Sequence, residues 1–184
     1  TSQDVTVRLV IFSGFVARAQ CLHEAATQMI EAENPHAAFT LLRAYAENTA
    51  AILYAKDHPN RVDDFWNTQG HGVKIGAITN HAVTRLEGFK GIYGELSKFA
   101  HPQAEGLLAS SSIGEDLKLS WRSAPHFKKP EDQITACAWE VELAEASRHL
   151  LYEFAQRYEL GYFAQPSDDL DARVEQPAHL RADV

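Results

Sequence analysis

Residues 36–57 read HAAFTLLRAYAENTAAILYAKD, and this stretch carries the strongest structural signal in the 184-residue chain. Its few polar residues stand among Ala, Leu, Phe, Tyr and Ile on nearly every side of a helical projection. A helix that is apolar nearly all round is normally buried between other helices. Asn34-Pro35 opens the segment and His58-Pro59 closes it, because proline fits the first turn of a helix and ends a helix that precedes it. The stretch therefore predicts the central helix of a bundle.

Further helices are predicted on both sides of this segment. From Asp4 to about Asn34, apolar side chains recur three or four positions apart, which is the pattern of a long amphipathic helix. Residues 61–66 predict a short helical turn over the core, and a third long helix follows from about Val73 to Ala100. Its expected buried stripe consists of Ile75, Ile78, Ala82, Leu86, Phe89, Leu96 and Ala100.

Glycines interrupt this third helix, and each costs ~1 kcal/mol relative to alanine in a helix interior. They are Gly76, Gly88, Gly91 and Gly94. We therefore expect either a break in the helix or a close approach of a neighbouring helix.

The periodicity changes from helical to alternating after residue 102. The stretches LLASSS (107–112) and LKLSW (117–121) flank a Gly-containing turn, and Leu117, Leu119 and Trp121 alternate with polar residues. This pattern predicts a small β-hairpin with one buried face, which must pack on the helices because an isolated hairpin is marginal in water. The final helix is predicted from about 131 to 159. Its expected inner side consists of Ile134, Ala138, Val141, Leu151, Phe154 and Tyr158.

These elements predict a mostly α fold, a bundle of about four long helices with one small β-hairpin inserted before the last helix. Residues 1–164 are expected to form a single helical domain. Residues 165–184 contain two prolines and many charges but no aromatic residue, so we expect a mobile polar tail. The first residue is Thr1 rather than Met, which is typical of a trimmed chain or of a piece of a longer protein.

The composition and net charge indicate which classes of partner and which compartment to expect. The formal net charge of −8 opposes non-specific binding to nucleic acid or to an anionic membrane. No apolar run approaches the ~20 residues that a membrane span needs, so we expect neither a membrane nor DNA as a partner. Cys21 and Cys137 belong to no CxxC motif or disulfide framework, which favours a reducing cytoplasm.

Motifs for cofactors and metals are missing from the sequence. The nine histidines are scattered without an HExxH motif or a pair four residues apart. No Gly-rich phosphate loop and no nucleophile elbow is present. We therefore expect no metal site and no cofactor.

Five polar side chains stand out beside the apolar stripes. Tyr93, Ser97 and His101 follow one another at intervals of four residues in YGELSKFAHP (93–102), at the edge of the expected buried face. Arg43 and Glu47 form an i,i+4 pair on the nearly apolar central helix, where they should pair with each other or with groups across the bundle.

These residues allow a structural and a functional interpretation. In the structural one, Ser97 bonds back to the carbonyl of Tyr93, His101 caps free carbonyls, and the Arg43–Glu47 pair fixes helix register. In the functional one, all five side chains meet. They then supply an acid–base imidazole, a carboxylate that orients it and an arginine for a phosphate or carboxylate.

The same residues carry a resemblance. LLRAYAENTAAILY (41–54) together with YGELSKFAHP resembles a family of bacterial helical proteins of unknown function, whose members share a Leu-Leu-Arg…Glu helix and a Tyr-x-x-Leu-Ser-x-x-x-His-Pro helix end. The resemblance spans roughly residues 37–102. It implies that the family's marked polar positions are Arg43, Glu47, Tyr93, Ser97 and His101.

A more distant resemblance is to the HEPN superfamily of helical bundles, which often dimerise and include RNA-cleaving toxins. LSKFAHP (96–102) resembles the His-Pro half of their motif. The motif's arginine, four to six residues before the histidine, has no counterpart here, because those positions hold Ser97, Leu96 and Glu95.

Three functional hypotheses follow, and whether the chain is an enzyme stays open among them. In the first, the cluster binds a small anionic or polar ligand, or stabilises a homodimer or another partner complex. In the second, the chain is an HEPN-like ribonuclease of the toxin or phage-defence type, with His101, Arg43 and Glu47 as catalytic residues. In the third, the chain is an interaction module in which the cluster is only structural.

Overall fold

The fold is described from a computed structural model, over residues 6–67, 72–100, 111–113, 118–121 and 125–160. The predicted helix end at His101-Pro102, the turn of the hairpin and the polar tail lie outside these residues.

The described residues form helices α1 (Val7–Glu31), α2 (Pro35–Asp57), a 3₁₀ helix (Pro59–Trp66), α3 (Ile75–Arg85) and α4 (Phe89–Ala100), then strands β1 (Ser111–Ile113) and β2 (Leu119–Trp121), and finally α5 (Pro130–Arg157). This order confirms the predicted fold class, which is mostly α with a small hairpin before the last helix. No helix among the described residues combines the length and the apolar character that a membrane crossing requires.

Helix α2 is the centre of the bundle, as its sequence predicts. It packs against α1, α3, α4 and α5. Its small residues are fully buried and allow the neighbouring helices to come close: Ala38, Ala46, Ala50 and Ala55. Asn34 caps its start by accepting a hydrogen bond from the backbone amide of Ala37, which satisfies one of the free amides of the first turn.

The third predicted helix is broken, which is one of the two outcomes expected from its glycines. Helix α3 ends at Arg85, and α4 begins at Phe89 after a turn in which Gly88 has φ +76°. Only glycine adopts this backbone conformation without a steric penalty. Ile75 was expected in the buried stripe, but it is largely exposed because α3 only begins at this residue.

The predicted inner face of α5 was wrong over its first half. Ile134, Ala138 and Val141 are exposed, and the buried side is shifted toward Glu140 and Ser147. These two polar residues are buried because each finds a partner on another helix. Glu140 Oε1 accepts a 2.6 Å hydrogen bond from Thr27, and the Ser147 hydroxyl lies 2.7 Å from that of Thr49. When the buried side of a helix is predicted from its apolar residues alone, buried polar residues that have hydrogen-bond partners are missed.

Strands β1 and β2 pair antiparallel, with Ser111 opposite Trp121, Ser112 opposite Ser120 and Ile113 opposite Leu119. The hairpin is therefore confirmed. Its expected burial is not borne out at Leu119, which is 63% exposed. Alternation in a strand determines which residues share a face, but it does not provide a helix to cover that face.

Candidate functional site

Three of the predicted site residues meet where α4 packs on α2. The Tyr93 hydroxyl donates a hydrogen bond to Glu47 Oε1 at 2.9 Å and accepts one from Arg43 Nη2 at 3.3 Å. Arg43 Nε lies 3.4 Å from the same Glu47 oxygen, and the guanidinium carbon is 5.4 Å from the centre of the Tyr93 ring. The phenol thus bridges an ion pair, and we call these three residues the tyrosine cluster.

The tyrosine cluster is half-buried, and its members bond to one another except at Arg43 Nε, which is buried without a hydrogen-bond partner within the described ranges. The Arg43 and Glu47 side chains are 22% and 26% exposed. Burial raises the pKa of Tyr93. Hydrogen bonding to Glu47 adds to the rise, against the opposing effect of Arg43. The phenol is therefore neutral at physiological pH, and a ligand that approaches Arg43 has to compete with Glu47.

Ser97 does not join this arrangement through any hydrogen bond within the described ranges. The Ser97 hydroxyl donates a 2.6 Å hydrogen bond to the Tyr93 carbonyl oxygen, so the predicted local back-bond is confirmed. His101 lies outside the described residues. Its meeting with Arg43 stays a prediction.

A second polar site was missed by the sequence interpretation. It is an open cavity of about 710 Å³ where the end of α2, the second half of α3 and the end of α5 converge. We call it the imidazole cleft, and its lining is Lys56, Asp57, His58, His81, Arg85, Glu153, Gln156 and Arg157.

Asp57 lies at the centre of the charges in the imidazole cleft. Its Oδ2 accepts from His81 Nε2 at 2.8 Å and lies 3.5 Å from Arg85 Nε, while its Oδ1 is 3.5 Å from Lys56 Nζ. Burial alone would raise the pKa of Asp57. The hydrogen bond from His81 and the charges of Lys56 and Arg85 outweigh burial and hold that pKa below its usual value. Asp57 is thus a firmly ionised carboxylate that orients the imidazole beside it.

Hydrogen bonds define the neutral tautomers of the two histidines that line the cleft. His58 Nδ1 is 2.9 Å from the Tyr54 carbonyl oxygen, which can only accept, so Nδ1 carries the proton and Nε2 the lone pair in the neutral ring. By the same reasoning, Asp57 places the His81 proton on Nε2 and leaves Nδ1 as the lone pair. The ring centres are 4.7 Å apart. No hydrogen bond ties His58 Nε2 or His81 Nδ1 to another side chain within the described ranges.

The cleft is locally cationic in an acidic chain. Lys56, Arg85 and Arg157 outnumber the carboxylates Asp57 and Glu153. Lys56 Nζ is tied to Glu153 Oε2 at 2.6 Å, and this hydrogen bond lowers the pKa of Glu153. Arg85 is largely exposed, and its 3.5 Å contact with Asp57 is longer than a hydrogen bond. Its guanidinium can therefore turn its donors to a bound anion.

Two sequence signals could have revealed the imidazole cleft. Lys-Asp-His at 56–58 was interpreted only as the end of a helix, although it places three ionisable side chains next to one another at a helix terminus. His81 and Arg85 lie four residues apart on one helix face, where an imidazole and a guanidinium can act on one ligand. Nothing in the sequence itself shows that these two segments meet.

No group of three or more His, Cys, Asp or Glu side chains within the described ranges is arranged to hold a metal ion. No protein-family model, curated protein or solved structure matches the chain. The family resemblances therefore stay predictions.

Proposed function

We propose that the protein binds a small ligand carrying a phosphate or carboxylate group in the imidazole cleft. One observation supports this most, namely the convergence of three cationic side chains and two oriented imidazoles on one open cavity. The tyrosine cluster is the weaker anion site, because its cation, Arg43, is already engaged by Glu47 and Tyr93.

The recognition of such a ligand follows from the donors in the cleft. Arg85 and Arg157 offer planar guanidinium groups that can bind two oxygens of a phosphate or carboxylate. His58 and His81 each add a donor when protonated, through the nitrogens that carry the lone pairs in the neutral rings.

Isothermal titration with inorganic phosphate, and with acetate as the carboxylate probe, tests this proposal. Arg85→Ala should weaken phosphate binding about tenfold or more, since a charge-assisted hydrogen bond contributes roughly 1.5–3 kcal/mol. Lys90→Ala is the matched control, because it removes an exposed cation from α4 outside the cleft. Absence of saturable binding of either anion to the wild type, or equal weakening by both variants, would contradict the proposal.

RNA cleavage is the second candidate function, and the pair of imidazoles favours it. His58 Nε2 would take the proton of a ribose 2′-hydroxyl while the 2′-oxygen bonds to phosphorus. The bond from phosphorus to the 5′-oxygen would break, and a protonated His81, which Asp57 orients, would donate its proton to that oxygen. Arg85 would stabilise the charge on the phosphoryl oxygens.

An RNA-degradation assay separates this mechanism from the HEPN-like one that uses His101 and Arg43. Loss of cleavage in His58→Ala alone supports the imidazole cleft, and loss in His101→Ala alone supports the HEPN-like site. Equal and negligible cleavage by the wild type and both variants would remove RNA cleavage as a function.

A further inference from the structure

Helix α5 exposes an apolar line on the side opposite its buried face. Ile134 and Val141 are 67% and 56% exposed, and the small exposed residue Ala138 lies between them. Large apolar side chains exposed in a row along one helix are typical of a surface that another helix covers.

The exposed line continues in both directions with a regular spacing. Exposed residues follow one another at alternating steps of three and four, which is the heptad spacing of a two-helix seam. We call these positions the α5 seam: Glu131, Ile134, Ala138, Val141, Glu145 and Arg148. None of the three charged members forms a salt bridge with another side chain in the described parts of the chain.

We propose that the α5 seam pairs antiparallel with the α5 seam of a second copy of this chain. A two-fold axis between Ala138 and Val141 places Ala138 against the partner's Val141, so that a small residue meets a larger one. The same axis places Glu131 against the partner's Arg148. Each of these contacts occurs twice, as a symmetric interface requires.

Charge complementarity is what identifies the occupant as a second copy. The acidic residue at the start of the seam and the basic residue at its end attract each other only when the partner helix runs in the opposite direction. An identical helix supplies this reversed charge order without any further assumption. The pairing does not involve the imidazole cleft and does not rest on the proposed ligand.

The length of the seam indicates a reversible dimer. From Glu131 to Arg148 it extends about 26 Å at 1.5 Å per residue. A contact between two single helices of this length falls at the small end of specific interfaces, where complexes are transient. The least favourable contact of the proposed pairing is that of Glu145 with the partner's Ile134, because it places a charged side chain next to an apolar one.

Sedimentation velocity of the wild-type chain over a wide concentration range tests the proposal. We expect a concentration-dependent monomer–dimer equilibrium that Val141→Glu shifts to monomer. Val83→Glu is the matched control, because it makes the same change at an exposed valine of α3, away from the seam. A wild type that stays monomeric throughout, as when the chain's own residues 161–184 or a different protein cover this face, would overturn the proposal.

Four further variants test the antiparallel register. Glu131→Arg and Arg148→Glu should each weaken the dimer by placing like charges together, and the double variant should restore it. Glu145→Leu should lower the dissociation constant of the dimer about tenfold, because it replaces the contact between a charged and an apolar side chain with an apolar contact. Failure of the double variant to recover dimerisation, with circular dichroism showing intact helices, would overturn the antiparallel pairing.

Discussion

The Tyr93 hydroxyl donates a 2.9 Å hydrogen bond to Glu47 Oε1, and this contact joins α4 to the central helix. The same hydroxyl accepts a hydrogen bond from Arg43. The phenol carries no charge, so it does not compensate either charge, but its two hydrogen bonds hold both members of the ion pair in place. This arrangement explains how two charged residues are tolerated on a helix that is otherwise nearly apolar.

Tyr93→Phe should lower the free energy of unfolding by about 1–2 kcal/mol, because both hydrogen bonds are lost while the ring packing is kept. Urea unfolding monitored by circular dichroism measures the loss. Tyr152→Phe on α5 is the matched control, since no hydrogen bond joins its hydroxyl to another group in the described ranges, and it should change stability little. Equal effects of the two substitutions would contradict the bridging role.

Arg43→Ala and Glu47→Ala should be coupled in stability. Removing either one leaves the other charge half-buried, and removing both leaves no unpaired charge. A double-mutant cycle in urea should therefore give a coupling energy of about 1 kcal/mol, which shrinks at high salt. Purely additive effects would show that the pair is not an energetic unit and would return Arg43 to consideration as a free anion-binding group.

How far the sequence predicts this structure depends on whether a feature is local. The central position of α2 follows from its own composition, and a break in the third helix was one of two outcomes expected from its four glycines, although the sequence did not single out Gly88. Which side of α5 is buried does not follow from its sequence, because the burial of Glu140 and Ser147 depends on hydrogen-bond partners from α1 and α2. The meeting of Arg43 with Tyr93 was anticipated only as a hypothesis, since the sequence of one helix does not show which helix packs against it or in which register.

The imidazole cleft shows the same limit at a site. Asp57, His81 and Glu153 belong to three helices that are far apart in sequence, so no spacing rule links them. Each local segment has an ordinary structural interpretation, as a helix end or a solvated face. Only the packing of α3 and α5 around the end of α2 turns these separate groups into one cavity.

The glycines of the broken third helix should respond in opposite directions to the same substitution. Gly88→Ala should destabilise the chain by about 1–2 kcal/mol, because its φ of +76° is disfavoured for any residue with a Cβ. Gly94→Ala should stabilise it by about 0.5–1 kcal/mol, since a Cβ there meets open space within α4 and alanine is the better helix former. Thermal unfolding measures both, and a gain in stability from Gly88→Ala would show that the turn is not fixed.

Protonation of Asp57 should lower the free energy of unfolding in acid. Its pKa is lowered in the folded state by His81, Lys56 and Arg85, so the folded protein binds its proton less readily than the unfolded chain does. The stabilisation is therefore fully present above the ordinary carboxyl pKa of about 3.9 and is lost as the pH falls through the lower folded value.

Asp57→Asn removes this contribution and provides the measurement. Urea unfolding should show the wild type more stable by about 1–2 kcal/mol near neutral pH, with the difference shrinking below about pH 4. Asp63→Asn, at an exposed carboxylate of the 3₁₀ helix, is the control and should show a much smaller difference. A difference between wild type and Asp57→Asn that stays constant into acid would mean that Asp57 owes its effect to shape rather than to charge. In that case the cleft would lack the ionised carboxylate that the proposed orientation of His81 requires.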